Sequence, residues 1–249
     1  MTEDRVDAEA GMRNVVVTGG TLGIGLGVVR RLAAEGWRPS ILDLDPAGEA
    51  IAAEVGGVFA RADVADPDVV ADAMAAIAGR VGPLHGLVCS AGINRTGPAE
   101  DIALEEWRRV IDVDLNGTYY ACRAAFPHLV AGSAIVNVAS VMAVRSRAGR
   151  APYSAAKAGV MALTRTLAIE WVDRGIRVNA VAPSWTDTPL IRGQVAGGTL
   201  SLDVLERVPM GRLVTVEEVA DAILFLIGEK ATFITGQTLF VDGGYVAAG

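Results

Sequence analysis

The sequence predicts an α/β protein built on a single doubly wound parallel sheet of about seven strands, with helices on both faces. Three observations carry this expectation. Short β-branched, nearly continuous apolar runs alternate with amphipathic stretches along the chain. Such runs suit strands covered on both sides, the habit of parallel sheets. A glycine-rich turn, TGGTLGIG at 18–25, leads straight from the first run into a helical stretch. No repeat, low-complexity tract or Pro/Ser-rich linker divides the 249 residues. Right-handed crossovers between these units then give a Rossmann-type sheet.

In chain order, an acidic, polar segment (1–12) is expected to be flexible and precedes one domain (13–249). The first strand is RNVVVT (13–18), and the glycine turn opens a helix near 23–36. PSILDL (39–44) and GVFARA (57–62) follow as strands, with helices near 46–55 and 67–80. HGLVCS (85–90) is the fourth strand, and a long amphipathic helix is expected over 104–131. AIVNVA (134–139), IRVNAVA (176–182) and QTLFVD (237–242) complete the sheet, alternating with helices near 153–174 and 215–227. Residues 184–203 form the longest stretch with a weak pattern, and a loop of that length in a compact domain usually covers a site.

An apolar fraction of 51% supports a sizeable core. The net charge of −7 and pI near 4.9 argue against nucleic acid and against an anionic membrane surface. Cys89 and Cys122 lie in apolar segments, without paired spacing and far from His85 and His128, so no metal site is expected. The chain shows no basic-then-apolar leader and no apolar stretch of spanning length. The expectation is a soluble, cytoplasmic protein.

The glycines of the turn allow backbone to approach a pyrophosphate, and the helix that follows offers free N–H groups and the positive end of its dipole. Gly19, Thr21, Leu22, Gly23, Ile24 and Gly25 are therefore cofactor candidates. Asp43 ends the second strand, where a carboxylate binds ribose hydroxyls and repels a 2′-phosphate. Leu44 and Asp45 follow it rather than an arginine, so NAD is the expected cofactor.

Only two of the 22 basic residues are lysines, and one of them, Lys157, stands four residues after Tyr153. On a helix the two share a face. A free phenol is a poor base at neutral pH, and a neighbouring ammonium favours phenolate. Lysine, a compact charge with mobile donors, suits this better than a planar guanidinium. Ser140 ends a buried strand, where its hydroxyl faces the carboxyl edge of the sheet.

With these residues the chain resembles the compact, single-domain branch of the short-chain dehydrogenase/reductase family. The resemblance runs from Asn14 to about Tyr245 through TGGTLGIG, Asp63-Val64, SAG (90–92), Ser140, YSAAK (153–157), VNAVAPSWTDTPL (178–190) and ITGQTLFVDGGY (234–245). It implies that Tyr153 is the general acid/base, that Ser140 orients the substrate oxygen and that Lys157 holds the nicotinamide ribose. It also implies that Asp63 and Val64 meet the adenine, Ser90, Ala91 and Gly92 the ribose side, and Pro183, Thr186 and Thr188 the carboxamide. Three departures stand out: Cys89-Ser90 for the family's paired asparagines, Ser184 for a glycine, and Asp114 for the catalytic asparagine. Asn116 is about 200° away around a helix and does not replace it. Asp114 is kept as a site member, whose charge pulls on Lys157.

The reading is an NAD-dependent alcohol dehydrogenase acting on a small polar substrate such as a sugar, polyol, sugar acid or hydroxy acid, a role in carbohydrate metabolism. Its rivals are a 3-oxoacyl thioester reductase and a non-catalytic dinucleotide-binding protein. The turn HLVAGSAI (128–135) carries no Lys or Arg for an acidic carrier protein, and the intact Ser140, Tyr153 and Lys157 speak for turnover. Met142 and Trp185 are expected in the substrate cleft, Arg95 and Arg150 at its rim, with Arg192 and Gln194 closing over it. Family resemblance implies a homotetramer, and Ala121, Ala124, Ala125, Ala158, Val160 and Leu167 on the two long helices are the expected contact face.

Overall fold

A computed structural model of the protein describes residues 12–248; the expectation of a flexible terminus therefore falls almost wholly outside the described residues. Seven parallel strands lie in the order β3-β2-β1-β4-β5-β6-β7. They are β1 (Asn14–Thr18), β2 (Arg38–Asp43), β3 (Phe59–Arg61), β4 (Leu84–Cys89), β5 (Leu129–Val138), β6 (Arg177–Pro183) and β7 (Thr238–Val241). The chain builds outward from β1 to β3, then returns to the other side of β1 as β4. That reversal opens a crevice at the carboxyl ends of β1 and β4.

Alternation along each strand supplies two cores. Val16, Leu87 and Ile135 face a layer made by α3 (Pro67–Val81), α5 (Gly117–Ala125) and α6 (Ala151–Trp171). Val15, Val17, Val88 and Val136 face α1 (Gly23–Ala34), α2 (Gly48–Glu54) and α8 (Val216–Ile227). Local chemistry fixes several helix starts. Asp66 accepts from the N–H groups of Asp68 and Val69, with Pro67 as the first helical residue of α3. Thr215 and Glu218 cap α8 reciprocally.

The helix expected over 104–131 is broken up. It comprises α4 (Leu104–Ile111), a π-helical turn (Asp112–Asn116) and α5, after which Phe126–His128 make a short 3-10 turn. Pro127 lies in that turn, and β5 starts at Leu129, five residues before the expected strand. The weakly patterned segment is not structureless: Thr188 caps α7 (Pro189–Ala196), and Leu202–Arg207 form a further 3-10 turn. Beneath it a small core joins Met142, Trp185, Leu200, Val204 and Tyr245.

The free thiols of Cys89 and Cys122 sit 3.8 Å apart in the first core. Their mutual hydrogen bond and burial push the Cys89 thiol up, which disfavours its reactive thiolate form. Among the described residues no helix is long and apolar enough to cross a membrane, and no three His, Cys, Asp or Glu side chains cluster as metal ligands.

Candidate active site

A cleft of about 500 Å³ occupies the crevice. Its floor is the glycine turn. Gly19 has φ +68°, and a Cβ there would lie 2.7 Å from the backbone of Ala91, so only glycine lets the two loops meet. No side chain caps the first turn of α1, whose N-cap residue is Leu22. Gly25 does not line the cleft; a Cβ there would lie 2.0 Å from the Gly19 carbonyl oxygen, so it serves the tightness of the turn. Thr21, Leu22, Gly23 and Ile24 do line it.

At the far end Asp43 is fixed by the turn itself. Its Oδ2 accepts from the Thr21 amide at 3.1 Å and the Thr21 hydroxyl at 2.7 Å, and Oδ1 accepts from the amide of Asp45. Leu44, Asp63 and Val64 continue the wall, and Ser90, Ala91 and Gly92 cross the middle. Arg109, which the sequence reading passed over, also lines the cleft and pairs with Asp63 at 2.9 Å. It lies on an exposed helix face with no local motif to single it out. Thr188 lines the near end, but Pro183 and Thr186 do not; the Thr186 hydroxyl turns to the Ser184 carbonyl.

Tyr153 and Lys157 share one face of α6, with the ammonium 5.6 Å from the phenol ring centre. Lys157 is buried and donates to the Val138 carbonyl at 3.0 Å. Its Nζ stands 3.3 Å from Asp114 Oδ2, an ion pair without good hydrogen-bond geometry, while Asp114 Oδ1 accepts from the Ile93 amide at 2.8 Å. The π-helical turn presents Asp114 to the lysine; Asn116 bonds Asp112 instead, as the sequence argument required. Burial pushes the Asp114 carboxyl up, with Lys157 and the Ile93 amide opposing. Burial works to lower the Lys157 ammonium, but Asp114 and Tyr153 outweigh it and raise its pKa. The lysine therefore remains a cation in a dry place.

Next to the cleft, and sharing Tyr153 and Leu190 with it, is a smaller cavity of about 70 Å³. Ser140, Met142, Arg150 and Trp185 line it, together with Gln194. Ser140 ends the fifth strand region with its hydroxyl accepting from the Met142 amide at 3.2 Å. Two expectations fail. Arg95 lies outside the lining, paired with Glu106 and bonded to the Asn94 carbonyl. Arg192 makes a two-pronged pair with Asp187 on the exposed side of α7. In their place stands Arg147, three residues before Arg150, which the sequence reading missed.

The family model described as "Enoyl-(Acyl carrier protein) reductase" matches residues 19–246. The cis-4-hydroxycyclohexanecarboxylate dehydrogenase of Sinomonas cyclohexanicum is 42% identical over 94% of this chain and 97% of its own. Among solved structures, the aldohexose dehydrogenase of Thermoplasma acidophilum has a TM-score of 0.87 at 34% identity, covering 95% of this chain and 94% of that one. The 3-ketoacyl-(acyl-carrier-protein) reductase of Brucella melitensis, solved with NADH, has a TM-score of 0.86 at 32% identity over 94% of this chain and 98% of that one.

Proposed function

The chain belongs to the short-chain dehydrogenase/reductase family, and from that premise we propose that it is a cytoplasmic, homotetrameric, NAD-dependent dehydrogenase of a small secondary alcohol. The observation that carries this is the meeting of Tyr153, Lys157 and Ser140 where the long cleft joins the small cavity. A dinucleotide fits the cleft by its bare glycine floor, the uncapped start of α1 and the acceptor Asp43 at the distal end. NAD is favoured over NADP because a 2′-phosphate beside Asp43 would bring like charges together.

When bound, the nicotinamide supplies the acceptor for hydride. Ser140 holds the substrate oxygen, and the Tyr153 phenolate takes its proton as the carbon gives up hydride. The products are a ketone, reduced cofactor and one proton. Lys157 favours the phenolate through its charge, and its remaining donors suit ribose hydroxyls. Asp114, itself held by the Ile93 amide, fixes the lysine from behind. The segment around α7 acts as the lid, contributing Leu190, Ile191 and Gln194 to the small cavity. A 3-oxoacyl thioester reductase is the weaker alternative, because the usual NADPH of such enzymes would set its 2′-phosphate beside Asp43.

The test is turnover of a panel of sugars, polyols and hydroxy acids with NAD and with NADP. Wild type should favour NAD by roughly tenfold or more in kcat/KM, about 1.4 kcal/mol. Tyr153→Phe should lose about a hundredfold or more in kcat while still binding NADH. Equal use of both cofactors sinks the NAD assignment, and an active Tyr153→Phe sinks the proton-transfer role.

A further inference from the structure

Two guanidinium groups meet in the small cavity, and among the described residues no carboxylate meets them there. Arg150 is only 7% exposed, and among the described residues its guanidinium makes one hydrogen bond, to Gln194 Oε1, long at 3.3 Å. Burial and the charge of Arg147 both push the Arg150 guanidinium down. Arg147 Nη1 is buried with no hydrogen-bond partner. Its guanidinium finds only the ring of Trp185, 5.9 Å away. None of the residues lining the cavity is Asp or Glu. On the lid, Asp187 is committed to Arg192 outside.

Such an arrangement is costly in an isolated protein, since buried cations are normally paired and buried donors normally satisfied. Folding alone gives no reason for it, because Arg147 sits on an irregular segment whose backbone is held independently. The Gly149 carbonyl accepts from the Gly97 amide at 3.2 Å, and α6 begins directly after Arg150. The missing partner is therefore an acceptor that enters from outside. Ser140 and Tyr153 line the same cavity, so the acceptor and the reacting hydroxyl belong to one compact molecule.

We propose that Arg147 and Arg150 form a carboxylate-binding subsite, and that the substrate is a compact hydroxy carboxylate. The fork of two guanidinium groups matches the two oxygens of a carboxylate. Asn94, whose Oδ1 is also buried without a donor, lines the same wall; with its amide turned it presents a third donor. The hydroxyl half of this assignment rests on the dehydrogenase reading, whereas the carboxylate half does not.

Binding of molecules that cannot be oxidised separates the two halves. Benzoate, cyclohexanecarboxylate and propionate are titrated calorimetrically into the full-length enzyme, with and without NADH, each beside its neutral amide. Ethanesulfonate serves as a further probe. At least one acid should bind wild type tenfold or more tighter than its amide. In Arg147→Gln that ratio should fall towards one, and Arg147→Lys should restore part of it. Melting curves confirm that the variants are folded. If no acid outbinds its amide in wild type, or if Arg147→Gln keeps the full ratio, the subsite is overturned whether or not alcohols are oxidised. Tighter binding of ethanesulfonate than of every acid would overturn the carboxylate assignment. A subsite confirmed in an enzyme that oxidises other alcohols but no hydroxy acid would leave the arginines standing and overturn the hydroxy-carboxylate substrate. A subsite confirmed in an enzyme that oxidises no alcohol at all would refute the dehydrogenase reading instead.

Discussion

At the level of single residues the decisive exchange is a carboxylate for an amide at position 114. A neutral side chain there would leave Lys157 to its burial; Asp114 instead adds a charge 3.3 Å from the ammonium. The direction of its effect can be worked out for each partner. Removing that charge leaves the Lys157 ammonium unopposed beside Tyr153, so the acid limb of the rate profile should move down. It also removes the largest influence holding Lys157 up, so burial lets the ammonium deprotonate sooner and the alkaline limb moves down as well. Asp114→Asn should therefore keep most activity, because its amide oxygen can still accept from Ile93, while the whole bell shifts toward acid. A pH series of kcat/KM on both proteins checks this. A static or alkaline-shifted profile would exclude Asp114 from the proton path.

At the level of elements, α8 gives the clearest link from sequence to stability. The Glu218 amide donates to the Thr215 hydroxyl at 3.2 Å, the Thr215 amide returns to Glu218 Oε2 at 2.9 Å, and Arg212 forks onto the same carboxylate. Arg212 first, then the Thr215 amide, pull the Glu218 carboxyl down to about 2. Because its folded value is depressed from the ordinary 4.5, the stability it adds is present above 4.5 and fades only as pH falls towards 2. Thr215→Ala should cost about 1 kcal/mol, lowering the Tm by about 2–4 °C in a chain of this size; calorimetry at neutral pH reads it directly. Caps and apolar runs of this kind made most elements legible from sequence. What escaped depended on contacts between distant parts. Leu129 joins β5 early because it pairs with Leu84 of β4, and the π-helical turn is visible only from how Asp114 meets Lys157. Tyr153, Lys157, Ser140 and Asp43 could be found because motif spacing fixes them. Arg95 and Arg147 look alike in a sequence, and only the packing against Glu106 or Trp185 separates a surface pair from a cavity cation.

At the level of the whole molecule, the question is which surface a second copy covers. The expected face serves only in part, because Ala121, Ala125, Val160 and Leu167 are buried in their own subunit's cores, whereas Ala158 is exposed and Ala124 half-buried. The helices turn those four buried residues inward and leave other apolar side chains outside. Leu104 and Trp107 on α4, Ile169 on α6 and Val172 just beyond it are exposed, Ile169 to 76%. At the opposite edge of the sheet, β7 has a neighbour on one side only, and Leu239 on it and Phe233 before it are exposed. An open edge strand and a separate apolar helix face are two distinct liabilities for a lone chain, and each is relieved by a two-fold contact with another copy. Two such contacts in different directions close as a tetramer with paired two-fold axes. Light scattering at micromolar concentration should therefore give about four times the 25.8 kDa chain mass. Ile169→Asp, which touches only the helix face, should leave a species of half that size, held through the sheet edge. A wild-type monomer would refute the assembly, and an unchanged tetramer in Ile169→Asp would refute the helix face as its second contact.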